Sequence, residues 1–302
     1  MRLRELKDRS PRVVKDAARV GAHTYNRATV RGRAVPDFLV IGTKRGGTTS
    51  LFNYLLMHPG IRGINPASRG KKSTDYFFKE YHRGDLWYRA HFDSDRAKAR
   101  AARRLGYRPL SGEASPYYLW DPRLVERIHG TAPQVKAIAL LRDPVKRAWS
   151  HYLERRQNHV EPLTFEQALA AEPARLAGEL DRMLADPAYY SQAYDWYPYR
   201  ARGVYQPQLE RWSAVFPADQ LLVLRAEDLY RDVQGTFDVV CDFLEVERFP
   251  LPDRKAFNAA KGATDPMPET ARVELAEFFA PHNAALESYL DRELGWTAPV
   301  RR

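Results

Sequence analysis

The stretch Ile41-Gly42-Thr43-Lys44-Arg45-Gly46-Gly47-Thr48-Thr49-Ser50 decides how this chain folds. An apolar run over residues 37–42 precedes it and has the length of a buried strand. After it, Leu51, Tyr54 and Leu55, with Met57 at the margin, recur at helical spacing until His58-Pro59-Gly60 ends the pattern. Strand, glycine-rich turn and helix in that order open an α/β unit. Adjacent glycines let a backbone approach an anion and present its N–H groups. The hydroxyls of Thr48, Thr49 and Ser50 and the positive end of the helix dipole add donors. Lys44 and Arg45 add full charges. A plain strand-to-helix turn is the alternative, and it needs none of these cations.

A nucleoside-triphosphate loop reads G-x-x-x-x-G-K-[ST]. Gly42 and Gly47 keep its glycine spacing, but Thr48 stands where the lysine belongs. No acidic strand end offers itself for Mg²⁺, so a P-loop kinase is the weaker alternative.

The second informative stretch runs from Ala137-Ile138-Ala139-Leu140-Leu141 into Arg142-Asp143-Pro144 and on to Ser150-His151-Tyr152. A strand over 135–141 ends at Arg142, and Pro144 opens a helix reaching about residue 158. That puts a guanidinium at the carboxyl edge of the sheet, where α/β proteins bind ligands. Ser150 follows about two turns into the helix. The bland reading of Arg142 is a surface arginine paired with Asp143.

Outward from these two units, 61–120 reads as loops and short elements rich in aromatics, with a helix expected near 122–129. Residues 165–185 read as one helix and 188–203 as irregular. Helices at 204–214, 233–244 and 269–291 and a strand at 220–225 complete the pattern. Strands alternating with helices predict a single α/β domain, its mostly parallel sheet flanked by helices. The domain is expected over 36–297, between a basic arm or helix at 1–35 and a tail at 298–302.

The chain of 302 residues carries a formal charge of +10. Part of the excess is local: residues 1–35 hold ten Lys/Arg against Glu5, Asp8 and Asp16, a surplus of seven. A solvated arm is the plain reading, and peripheral contact with a membrane surface or a polyanion is the other. A nucleic-acid-binding protein lacks a recognisable binding motif here, so no nucleic-acid partner is expected. No apolar run approaches the roughly 20 residues that span a bilayer. Cys241 is the only cysteine, which favours a reducing, cytoplasmic setting.

The turn at 42–50, with Leu51 after it, resembles the 5′-phosphosulfate loop of sulfotransferases that use 3′-phosphoadenosine-5′-phosphosulfate (PAPS). It is most similar to the heparan sulfate sulfotransferase-like branch and its bacterial relatives. The resemblance implies that Lys44, Arg45, Gly46, Gly47, Thr48, Thr49 and Ser50 hold the phosphosulfate, while Arg142 and Ser150 hold the 3′-phosphate. Ala260-Lys261-Gly262 resembles the loop that closes over the nucleotide. Relatives place lysine directly before the glycine pair. Here Arg45 has that place and Lys44 precedes it, so both are candidates to stabilise the leaving phosphate oxygen.

The resemblance further implies transfer of a sulfuryl group to a hydroxyl or amine of a carbohydrate, glycolipid or small-molecule acceptor. PAP is the co-product and no metal is expected. The family's base-bearing segment matches Lys72-Ser73-Thr74-Asp75-Tyr76-Phe77-Phe78, with Thr74 at the glutamate position. Asp75 is then the first candidate base and His82 a weaker one. Glu113, in Glu113-Ala114-Ser115-Pro116, is either a base or a loop-fixing acceptor, and Ala114 replaces an expected lysine. His129, His151 and His159 read as surface residues. The acceptor and the oligomeric state stay open.

Overall fold

The computed structural model describes residues 20–22, 24–66, 71–254 and 266–296. Five strands form one parallel sheet: β1 (Phe38–Gly42), β2 (Ile61–Arg62), β3 (Leu110–Ala114), β4 (Lys136–Leu141) and β5 (Leu221–Arg225), in the order β2-β3-β1-β4-β5. Every residue of β1 is buried. Successive side chains point to opposite faces, so Phe38 and Val40 join one core cluster while Leu39 and Ile41 join another. Ile138 and Leu140 of β4 follow the first pair; Ala137, Ala139 and Leu141 follow the second. Helices cover both faces, which is why these strands read as unbroken apolar runs. Each fully buried Leu or Ile contributes about 1.5–3 kcal/mol.

Helix α1 (Thr48–Leu55) follows β1 and buries Leu51, Phe52, Tyr54 and Leu55, with Met57 beyond its end. The aromatic region is more ordered than its sequence pattern predicts. It holds α2 (Gly84–Arg89), α3 (Asp95–Leu105) and β3. Strand β3, Leu-Ser-Gly-Glu-Ala, has no apolar run to announce it. It is a strand because β1 and β2 pair with it on either side. Helix α4 (Leu124–Thr131) leads into β4, and α5 (Pro144–Gln157) leaves it. Asp143 caps α5 by accepting from Val145 N and Lys146 N, with Pro144 in the first turn. The cap occupies Asp143, which removes the surface-pair reading of Arg142.

The single helix expected over 165–185 is two, α6 (Phe165–Leu176) and α7 (Glu179–Ala185), broken at Gly178 with φ 70°. The region 188–203 contains the short α8 (Gln192–Trp196) and a 3₁₀ turn at Ala201–Gly203. Then come α9 (Gln206–Ser213), α10 (Ala226–Arg231), which the sequence pattern did not announce, α11 (Val233–Phe243) and α12 (Glu269–Leu290). Among the described residues no helix is long and apolar enough to cross a membrane.

Candidate active site

Strand order reverses direction around β1: the chain builds β2 and β3 on one side, then β4 and β5 on the other. Such a switch point leaves a crevice outside the carboxyl ends of the strands. The turn after β1 fills its floor. Thr43 N donates to Leu140 O at 2.9 Å, and Gly46 lies so close to β4 that a Cβ there would sit 2.4 Å from the same carbonyl oxygen. Gly47 has φ 92° and is the N-cap of α1. A glycine there leaves the first-turn amides without a capping side chain, at the end where the helix dipole favours an anion.

Two motifs about a hundred residues apart meet at this floor. Arg142, leaving β4, donates from Nη1 to the carbonyl oxygen of Arg45 at 3.0 Å, and Arg45 Nε donates to Ser150 Oγ at 3.0 Å. Tyr205 OH fixes the Arg142 backbone by donating to its carbonyl oxygen at 2.8 Å. The other two guanidinium nitrogens of Arg142 have no hydrogen-bond partner among the described residues.

Lys44 and Arg45 part company. Arg45, at φ 70°, turns toward α5 and Ser150. Lys44 turns into a cleft of about 290 Å³ that it shares with Lys72, Asp75, Tyr117, Asp195 and Arg202. Its Nζ lies 3.9 Å from both Glu154 Oε2 and Asp195 Oδ1. Burial, then the charge of Arg202, lowers the Lys44 ammonium to about 7. Lys72 Nζ donates to Thr48 Oγ1 at 3.0 Å, and burial lowers it to about 8. Thr48 occupies the lysine position of a nucleoside-triphosphate loop, and here an ammonium reaches that spot from another segment.

The candidate carboxylates separate cleanly. Asp75 lines the cleft, is half-buried, and its carboxylate accepts no hydrogen bond from the described residues. Glu113 is fully buried at the end of β3 and accepts from Thr74 N at 2.6 Å, Tyr118 OH at 2.9 Å and Tyr88 OH at 3.0 Å. Burial pushes its carboxyl up while those bonds pull it down. Of the two roles open to Glu113, this geometry supports the acceptor that pins the 73–75 segment. His82 is exposed on the turn Tyr81–Arg83, away from the cleft.

His151 corrects the surface reading. It is fully buried beside Tyr199, ring centroids 5.1 Å apart, and neither ring nitrogen has a partner among the described residues. Burial, then Lys44 and Arg147, push its imidazole well below the usual range, so it stays neutral. His129 and His159 are exposed, as expected. Asp195 and Arg202 were missed: they lie in a segment noticed only for its tyrosines and tryptophans. Lys72 headed a quoted segment, yet only the fold shows where its ammonium goes. Ala260, Lys261 and Gly262 lie outside the described residues.

A family model described as a sulfotransferase domain matches residues 35–263. The chain belongs to the sulfotransferase family. A solved sulfotransferase from Alicyclobacillus acidocaldarius is 30% identical, aligns over 88% of this chain and 100% of its own, and superimposes with a TM-score of 0.63. This sulfotransferase is also similar to mouse heparan sulfate glucosamine 3-O-sulfotransferase 6, at 28% identity over 87% of this chain and 74% of the relative. A third relative is the membrane-associated sulfotransferase kil1 of Dictyostelium discoideum, 25% identical over 87% of this chain. The match spans 66% of kil1's own length, so the sulfotransferase accounts for about two thirds of that relative.

Proposed function

We propose that this sulfotransferase takes its sulfuryl group from PAPS and delivers it to a hydroxyl or amine, a carbohydrate acceptor being the best supported by its relatives. Glycolipids and small molecules are the other acceptor classes the site admits. The observation that carries the reading is the chain of contacts Arg142–Arg45–Ser150, which brings two remote motifs to one sheet edge beside an uncapped helix N-terminus. A nucleotide phosphorylated at both ends needs two such grips. The crevice also fits it chemically: first-turn amides and Lys72 at the α1 end, and an arginine fork beside Ser150 at the β4 end.

PAPS supplies an activated sulfur whose bond to a phosphate oxygen breaks as the acceptor oxygen or nitrogen bonds to it. The protein's tasks are to hold the phosphosulfate in line, to stabilise charge on the departing oxygen, and to remove the acceptor's proton. Lys72 on Thr48, and Lys44 at the mouth of the same loop, meet the charge. Arg45 is committed to Ser150 and serves the opposite end of the nucleotide. Asp75, the cleft carboxylate without a bound donor, takes the proton. Glu113 positions the segment carrying Asp75 through its bond to Thr74 N. The single cysteine, Cys241, which allows no intramolecular disulfide, favours a reducing, cytoplasmic setting.

The test is a thermal-shift comparison. PAP is expected to raise the melting temperature, and ATP with Mg²⁺ to raise it far less. Equal stabilisation by the two would overturn the PAPS assignment.

A further inference from the structure

The amino edge of the sheet, opposite the cleft, carries a charged face that sulfuryl transfer does not use. In α3, Ser94 caps the N-terminus by accepting from Ala97 N. Lys98 is buried and donates to Asp37 Oδ2 at 2.9 Å, just before β1 begins. At about 100° per residue, Arg96, Arg100, Arg103 and Arg104 fall within roughly 100° of arc on the side away from Lys98. All four are exposed, and none makes an ion pair or hydrogen bond with a described residue. On the opposite side of the helix, Asp37 pairs with both Lys98 and Arg108.

Exposed apolar side chains lie on the elements joined to this helix. Arg33 is the joint: it donates to Asn26 Oδ1 at 2.7 Å and to the carbonyl oxygen of Phe92, and its backbone bridges to Ser94. It thereby ties the helical residues 24–28 to the start of α3. Helix α2 packs against Val30–Gly32 of the same segment. Across these elements Val20 is 66% exposed, Tyr25 59% and Leu86 57%. Residues 24–33 enter the fold here, and the sequence over 1–35 carries a surplus of seven positive charges.

We infer that this face docks on an anionic lipid bilayer, through the arginines of α3 together with Tyr25 and Leu86. A polysaccharide or nucleic acid would answer only the charge. A bilayer takes both, with guanidinium groups among acidic headgroups and Tyr and Leu side chains at the boundary below them. Nothing here depends on PAPS as donor.

The experiment is vesicle flotation of the full chain on phosphatidylcholine with and without phosphatidylserine. Wild type is expected to float only with the acidic lipid, and less so as salt rises. The triple variant Arg100→Glu/Arg103→Glu/Arg104→Glu leaves the arm intact. At about 1 kcal/mol per basic residue near such a surface, it should bind phosphatidylserine vesicles at least roughly 100-fold more weakly. Arg100→Lys/Arg103→Lys/Arg104→Lys should bind like wild type, and both variants should keep the wild-type thermal shift with PAP, which reports on the cleft. Undiminished flotation of the glutamate variant would overturn the inference. So would equal flotation on neutral vesicles, or heparin or DNA binding that vanishes in the glutamate variant while flotation persists.

Discussion

The two halves of the crevice are built differently. The half proposed to hold the nucleotide consists of two continuous segments, 42–50 and 142–150, each a strand end running into a helix. Its donors are largely backbone amides fixed by Gly46 and Gly47, and its side chains cross over through Arg142, Arg45 and Ser150. The acceptor half has no such segment. Asp75, Tyr117, Asp195 and Arg202 come from four separate stretches and meet only because β3, α8 and the turn Ala201–Gly203 pack there. A site made of backbone tolerates side-chain change in ways that a site made of packed side chains does not. The two halves should therefore fail differently when mutated.

The sharpest division is expected at Asp75. Asparagine adopts its left-handed backbone, φ 59°, without strain, so Asp75→Asn should keep the fold and PAP affinity. Transfer to an acceptor found by a labelled-PAPS screen should fall about 10²–10⁴-fold, the usual worth of a positioned base. Wild-type turnover in this variant would move the base to Asp195.

Arg142→Ala should do the reverse, weakening PAP by about 1.5–3 kcal/mol, the range for hydrogen bonds to a charged partner, measured by calorimetric titration. An unchanged dissociation constant would remove Arg142 from the nucleotide half.

Acidity gives a third contrast. Lys44 at about 7 and Lys72 at about 8 are depressed by burial in the ligand-free protein, and an anion beside them favours their charged forms. Their contribution to binding is complete below the free-state values and is lost as pH rises past them. PAP affinity should therefore decline upward from about pH 7, by at most about tenfold per unit for each lysine. Lys44→Met should flatten the lower part of that curve. A wild-type profile with no slope in this window would mean neither amine faces the anion.

Smallest in its effect on turnover is Glu113→Gln. One of its three donors would face an amide N–H₂, so stability should fall by about 1–3 kcal/mol, read by chemical denaturation, while chemistry changes little. A turnover collapse with unaltered stability would restore Glu113 as a base.

Legibility in the sequence follows the same division. The helix start after Asp143-Pro144 and the buried strands 38–42 and 136–141 were readable because capping, proline geometry and apolar runs act over a few residues. Strand β3 was not, since Ser111, Gly112 and Glu113 carry no apolar signal and become a strand only between β1 and β2. His151 reads as a surface residue because no partner stands at metal-ligand spacing from it. Its burial comes from packing against Tyr199, 48 positions away in the chain.

By itself, the order of residues determined an α/β architecture with a glycine-rich turn carrying two cations and an arginine at the next strand end, because those features arise from local backbone preferences. Only the tertiary structure decided that Lys44 faces the cleft while Arg45 turns to Ser150, that Lys72 reaches Thr48, and that Glu113 is spoken for while Asp75 is not. Those assignments depend on where side chains from distant segments come within a few ångströms of one another, which no local pattern encodes.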